Sequence, residues 1–226
     1  MQTKGKLGYN PRLDLNLEQK ETMVEADPWE MKSRDQIRDD LIALAERHVA
    51  ARGTYKTLKI DESKDMTVWQ GDESGVALTV CTMKGEGLEM ADFLAFQDPA
   101  SFPANMSVLD SILTCRKLDD DMGENCYAMY QHIKTPIMVS NRCCFNAVYN
   151  HKVDENTLIH ITTSKGMRAI EEKPENITLR GKDVLSHTTV TYNKIEACDG
   201  GVRITSVLCV DPAGSLPDFV KNKIAA

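Results

Sequence analysis

The sequence predicts an α+β fold, an antiparallel sheet flanked by a helix from each end of the chain. Three observations carry this expectation. A capped amphipathic segment stands at 33–52. From 54 to 210 the text is mostly strand-like runs separated by short polar turns, and successive strands joined by short links pair antiparallel. After 210 the apolar residues return to helical spacing.

Each element has a local reason. Residues 1–32 are polar and punctuated by Gly5, Gly8, Pro11 and Pro28, which predicts a mobile leader. Leu13, Leu15 and Leu17 alternate there, as in a short strand or a docking segment. Ser33 and Gln36 have capping-box spacing, and Ile37, Leu41, Leu44, Ala45 and His48 line one helical face, with Gly53 as the expected stop. His48 near the carboxyl end suits the helix dipole. Strands are expected at 54–60, 67–70, 76–83, 107–118, 125–133, 142–151, 158–164, 186–197 and 202–210. Turns such as Asp72-Glu73-Ser74-Gly75 and Asp199-Gly200-Gly201 separate them. A short helix is expected at Met90–Gln97, and 166–181 is a long polar connection with Met167 and Ile170 embedded, either a functional loop or a solvated insertion. In the last strand Val202, Ile204, Ser206, Leu208 and Val210 share a face. Asp211-Pro212 ends it, Gly214 permits a positive φ, and Ser215 caps a helix whose apolar stripe is Leu216, Phe219, Val220 and Ile224.

Composition removes several classes of function. A length of 226 residues suits one domain with room for a core and a cavity. A formal charge of −7 argues against nucleic acid as a partner and against adhesion to anionic membranes by bulk charge. The Cys at 81, 115, 126, 143, 144, 198 and 209 are odd in number and scattered, which predicts reduced thiols in a cytoplasmic protein rather than a disulfide or zinc framework. No stretch is apolar enough to span a bilayer, and the start matches neither a signal peptide nor a myristoylation site. The His lack metal-ligand spacing, and no nucleophile elbow, phosphate loop or dinucleotide fingerprint occurs. Asp119-Asp120-Asp121 reads as a solvated turn rather than an acid cluster. Cys143-Cys144 beside Arg142 reads as buried core rather than an activated thiol. No catalytic residues, metal or cofactor are expected.

Two blocks add a resemblance. The strand at 202–210, the Asp211-Pro212-Ala213-Gly214 turn and the helix opened by Ser215-Leu216-Pro217 resemble the carboxyl end of a START domain (steroidogenic acute regulatory protein-related lipid transfer). In 134–149, Pro136, Ser140, Asn141, Arg142 and Phe145 are similar to that family's Pro-rich turn and Ser-x-Arg-Asp-Phe strand start, with Cys143 in place of the Asp. Gly85-Glu86-Gly87 before the short helix resembles the family's strand-to-helix step, whereas Ala104-Asn105-Met106 stands where a Trp-Asp pair is common. The resemblance covers roughly 76–226 and implies domain limits of 33–226 behind a leader at 1–32.

The resemblance implies a helix-grip fold, a curved antiparallel sheet with amino- and carboxyl-terminal helices around a hydrophobic cavity. It implies binding and transfer of one lipid, gated by the carboxyl-terminal helix, which here stops about a dozen residues short of the usual length. Lipid contacts are implied for Tyr127, Met129, Gln131, Cys144, Asn146, Val148, His187, Tyr192, Ile204, Ser206, Leu208, Phe219 and Ile224. Phe145 and Tyr149 are expected on the outer face against the first helix. Met129 and Val148 stand where sterol-binding relatives often place a buried acid–base pair, and neither ionises. Tyr127 and Tyr192 are candidates for a choline site, and the loop at 166–181 for the border of the lipid's way in. The implied partners are a lipid (a sterol, a phospholipid or another apolar lipid) and, transiently, a membrane, with the protein a cytoplasmic monomer. The rival readings are an interaction module that kept the fold without cargo, and an enzyme of the helix-grip group.

Overall fold

A computed structural model of the chain describes residues 28–118, 122–123, 125–135, 139–171 and 183–213. The expected carboxyl-terminal helix, the Asp119-Asp120-Asp121 turn, Pro136 and most of the leader lie outside the described residues.

The first helix, α1 (Arg34–Ala51), starts as its sequence dictates. Ser33 Oγ accepts the Gln36 backbone N–H at 3.2 Å, and Gln36 Oε1 accepts the Ser33 N–H at 2.9 Å. Ile37, Leu41, Ala45 and His48 are buried, one stripe of the helix. Gly53 is not the stop: it sits inside a single 3-10 turn, Arg52–Thr54, without a left-handed φ, and the helix ends where Tyr55 turns to extended backbone. Residues 28–32, expected to belong to the leader, form a turn whose Trp29 packs on the core and whose Glu30 carboxylate accepts the Arg168 N–H at 2.8 Å.

The strands are β1 (Lys56–Asp61), β2 (Met66–Glu73), β3 (Val76–Glu86), β4 (Ile112–Lys117), β5 (Cys126–Ile133), β6 (Arg142–Lys152), β7 (Thr157–Thr163), β8 (Val184–Leu185), β9 (His187–Cys198) and β10 (Gly201–Asp211). They form one sheet in the order β1-β2-β3-β10-β9-β7-β6-β5-β4, antiparallel throughout except for the short β8, which pairs with β6 in parallel. Between β3 and β4 the chain crosses from the middle of the sheet to its far edge through α2 (Met90–Gln97) and α3 (Phe102–Met106).

The strand expected at 107–118 is shorter than its sequence suggests. A Pro near the start of α3 suits a helix, and a turn at 107–111 follows before β4 begins. A four-residue helix, α4 (Arg168–Glu171), opens the connection at 166–181, and Met167 and Ile170 are buried in the core beside α1. The described start of that connection therefore packs its apolar residues on the α1 side of the sheet, while Arg168 and Ala169 stay exposed.

The α1 face of the sheet is the main core. Leu78, Val80, Phe145, Ala147, Ile161 and Val207 join Ile37, Leu41 and Ala45 in one buried cluster. Full burial of each large aliphatic side chain contributes about 1.5–3 kcal/mol. Phe145 and Tyr149 lie in this cluster. Polar bonds lock the helix in place: Tyr192 donates to Glu46, Arg34 Nη1 donates to the Gly166 carbonyl at 2.8 Å, and His48 bridges Tyr55 (2.7 Å) and Glu73 (2.8 Å). The Glu73 carboxylate only accepts, so His48 Nε2 donates to it, and in the neutral ring Nδ1 accepts the Tyr55 hydroxyl.

Candidate functional site: the sheet face opposite the first helix

Cross-strand pairs order the face opposite α1 into rows. Met83, Ile204, Ile195 and Leu158 make one apolar row that ends at the exposed Lys152 of β6, and Met90 and Phe93 of α2 pack on it with Val202. The next row is polar: Cys81, Ser206, Asn193, His160 and Asn150. The third runs Thr79, Leu208, Thr191, Thr162, Val148 and Tyr127. Beyond it lie the pairs Asn146–Met129 and Cys144–Gln131. Phe102 and Met106 of α3 cover Tyr127, Met129 and Val148.

The polar side chains of this face bond mostly with one another. Asn146 Nδ2 donates to Gln131 Oε1 at 3.4 Å, Asn146 Oδ1 accepts the Ser164 hydroxyl at 2.8 Å, and Ser164 Oγ accepts the Thr188 N–H at 3.0 Å. Ser206 donates to Asn193 Oδ1 at 2.7 Å. His160 Nδ1 donates to Asn150 Oδ1 at 2.8 Å, its Nε2 accepts from Thr162 at 3.3 Å, and Asn150 Nδ2 donates to the Gln97 carbonyl at 3.1 Å. Both ring nitrogens of His160 are thus used by a neutral imidazole. Burial lowers its pKa from 6.5 to about 4.

Arg142 lies at the end of this face, and its guanidinium is committed. Nε donates to the Pro212 carbonyl at 2.7 Å, Nη2 to the Ala213 carbonyl at 3.1 Å and Nη1 to the Ser140 carbonyl. It ties the end of β10 to the start of β6. Ala213 takes a φ of 51°. Gly214, the expected site of a positive φ, lies outside the described residues. Burial pushes the Cys143 thiol up to about 11 and Cys144 up to about 12, so neither is an activated thiolate.

Tyr127 differs from its neighbours. It is 3% exposed, yet its hydroxyl meets no hydrogen-bond partner among the described residues. Burial, with Cys115 and Asp98 nearby, holds the phenol above its ordinary pKa, so it remains a neutral donor.

The structure gathers Tyr127, Met129, Gln131, Cys144, Asn146, Val148, Ile204, Ser206 and Leu208 on this one face. Tyr192 is a correction: it pairs with Val207 and Ile161, points to the α1 side and is fully buried there, bonded to Glu46. His187 is a second correction, exposed at the start of β9 opposite Asp211. Phe219 and Ile224 lie outside the described residues. The sequence reading missed His160, Asn150, Asn193, Phe102, Ile195 and Leu158. The two-residue turn between β9 and β10 was the available signal, because it fixes which β9 residues oppose Ile204 and Ser206.

Among the described residues no group of three or more His, Cys, Asp or Glu is placed to hold a metal ion, and no helix is long and apolar enough to cross a membrane. No protein-family model and no curated protein matches the sequence. Solved structures do match the fold. Human STARD10 is 18% identical, with 86% of this chain and 74% of that chain covered and a TM-score of 0.65. Human StAR-related lipid transfer protein 5 is 12% identical, with 84% and 88% covered and a TM-score of 0.63. A STAR-related lipid transfer protein fragment from Xanthomonas axonopodis is 15% identical, with 75% and 88% covered and a TM-score of 0.54. The chain therefore has the START-domain, helix-grip fold.

Proposed function

We propose that this protein binds one lipid molecule against the sheet face opposite α1 and carries it between membranes without altering it. One observation carries the reading. That face is broad and its middle is built of uncharged side chains whose polar members are largely bonded to each other, with Arg142, Lys117 and Lys152 only at its margins, the lining an apolar guest needs. Among the described residues, the cover consists of α2 and α3 over one part of it, while Leu208 in the third row stays 39% exposed. Several solved structures with this fold carry lipid transfer in their names. A non-enzymatic role fits a His160 whose basicity is lowered by burial and whose nitrogens are bonded to Asn150 and Thr162 within the protein.

In this reading residues 214–226 gate the lipid, on the strength of their Leu216, Phe219, Val220 and Ile224 stripe. The protein acts as a cytoplasmic monomer that touches membranes only to load and unload. Val148 is fully buried under Phe102, so enlarging it would overpack the core, at about 1–3 kcal/mol. Thr191, half-buried between Leu208 and Thr162, is the better site to fill.

The test is native mass spectrometry after incubation with vesicles of mixed phospholipid and sterol. The wild type is expected to carry one lipid. Thr191→Trp should carry none while keeping its circular dichroism spectrum. A wild type that takes up no lipid, or a Thr191→Trp variant that loads as fully, overturns the proposal.

A further inference from the structure

We infer that Tyr127 is the hydrogen-bonding anchor for an uncharged lipid bearing a hydroxyl, such as a sterol or a diacylglycerol, and that the site disfavours phospholipid. This rests on the lipid-binding reading above and names the class of lipid. Three observations combine. The first is selective dissatisfaction. Gln131, Asn146, Asn193, Ser206, Thr162 and His160 all have partners on their own face, whereas the buried Tyr127 hydroxyl has none among the described residues. Buried hydroxyls are normally bonded, so this donor is held ready for an acceptor that arrives with the ligand.

The second is an acceptor on the same side. Gln97 Oε1, at the end of α2, is also buried without a partner among the described residues. The adjoining ring of Phe96 stacks edge-on with Phe102 at 5.7 Å, and Phe102 in turn meets Tyr127 at 6.4 Å. Asp98, which follows Gln97, is near enough to act on the Tyr127 phenol. A hydroxyl both accepts and donates, so it complements a phenol and an amide oxygen on the same side of the sheet.

The third is charge. The buried cation at the end of this face, Arg142, spends its guanidinium on three backbone carbonyls, and His160 is neutral. Lys117, whose ammonium lies 5.8 Å from the Tyr127 ring, is exposed at the β4 edge of the face. Among the described residues the buried part of this face offers a phosphate no free cation, and burying an unpaired charge is strongly disfavoured.

The experiment measures equilibrium transfer from vesicles to the purified full chain, with three labelled probes: cholesterol, cholestane, which lacks the hydroxyl, and dioleoylphosphatidylcholine. The expected order for the wild type is cholesterol first, cholestane about tenfold weaker, and the phospholipid weakest. Tyr127→Phe removes only the hydroxyl. It should weaken cholesterol about tenfold, leave cholestane unchanged and not lower the urea midpoint. Unchanged cholesterol binding in Tyr127→Phe, or preferential uptake of phosphatidylcholine by the wild type, overturns this inference and leaves lipid binding standing. A lower urea midpoint also counts against it, because the hydroxyl would then be bonded within the protein. A wild type that takes up none of the three overturns both readings.

Discussion

His160 sits in the polar row of the inner face, and its surroundings dictate how the protein responds to acid. Its folded pKa of about 4 lies below the ordinary 6.5. Between those values the unfolded chain binds a proton that the folded chain refuses, so stability falls as pH falls through that window. By this group alone the loss from about pH 7 to about pH 5 is about 2 kcal/mol. Glu73, whose pKa is lowered from 4.5, adds its own loss only further down, as pH falls from 4.5 through its folded value. His160→Gln keeps a neutral side chain in the row and should flatten the dependence above about pH 5. Urea unfolding at the two pH values checks this, and an equally steep loss in the variant assigns the effect elsewhere. The residue scale is also where the sequence reading was least reliable. The parity of β5 and β6 was legible, since Tyr127, Met129 and Gln131 alternate and face Cys144, Asn146 and Val148. Tyr192 was misplaced because it was chosen as an aromatic, not by register: opposite Val207 it must share the face of Val207 and not that of Ser206.

At the scale of elements, α1 shows which forces make a helix persist. Its capping box satisfies two backbone donors, and Ser33→Ala should cost about 1 kcal/mol. Leu41 is fully buried against the sheet, and Leu41→Ala should cost about 2–5 kcal/mol through lost transfer energy and the cavity left behind. Packing therefore outweighs capping, and urea midpoints of the two variants should rank accordingly; the reverse ranking would mean that α1 is held mainly by its own ends. Both signals, the Ser33–Gln36 spacing and the Ile37-Leu41-Ala45 stripe, were readable in the sequence because each is local. The α3 helix was not readable by periodicity, since five residues are too few to show a period of 3.6. The pairing of β8 with β6 has no local signature, because two residues in parallel register follow from where the chain returns.

For the whole molecule, the topology separates support from recognition. One sheet carries α1 on one face, and the crossover from β3 to β4 lays α2 and α3 on the other, so a guest bound there touches strands that are far apart in sequence. The fold was legible because alternation and turns repeat along the chain, whereas the occupant was not, because it depends on which polar groups remain unbonded after the strands pair. A ligand held by β5, β6, β7, β9 and β10 together should stabilise the sheet as a unit rather than one loop. By mass action, a free lipid concentration about 100 times Kd adds about 2.7 kcal/mol. In a domain of this size that raises Tm by about 5–10 °C. Calorimetry of delipidated and cholesterol-loaded protein measures the shift, and hydrogen exchange shows whether β5 and β10 gain protection together. A module that keeps this fold without cargo would show neither effect. Protection confined to the ends of the chain, with Tm unchanged, would place any lipid outside the sheet and remove the carrier reading.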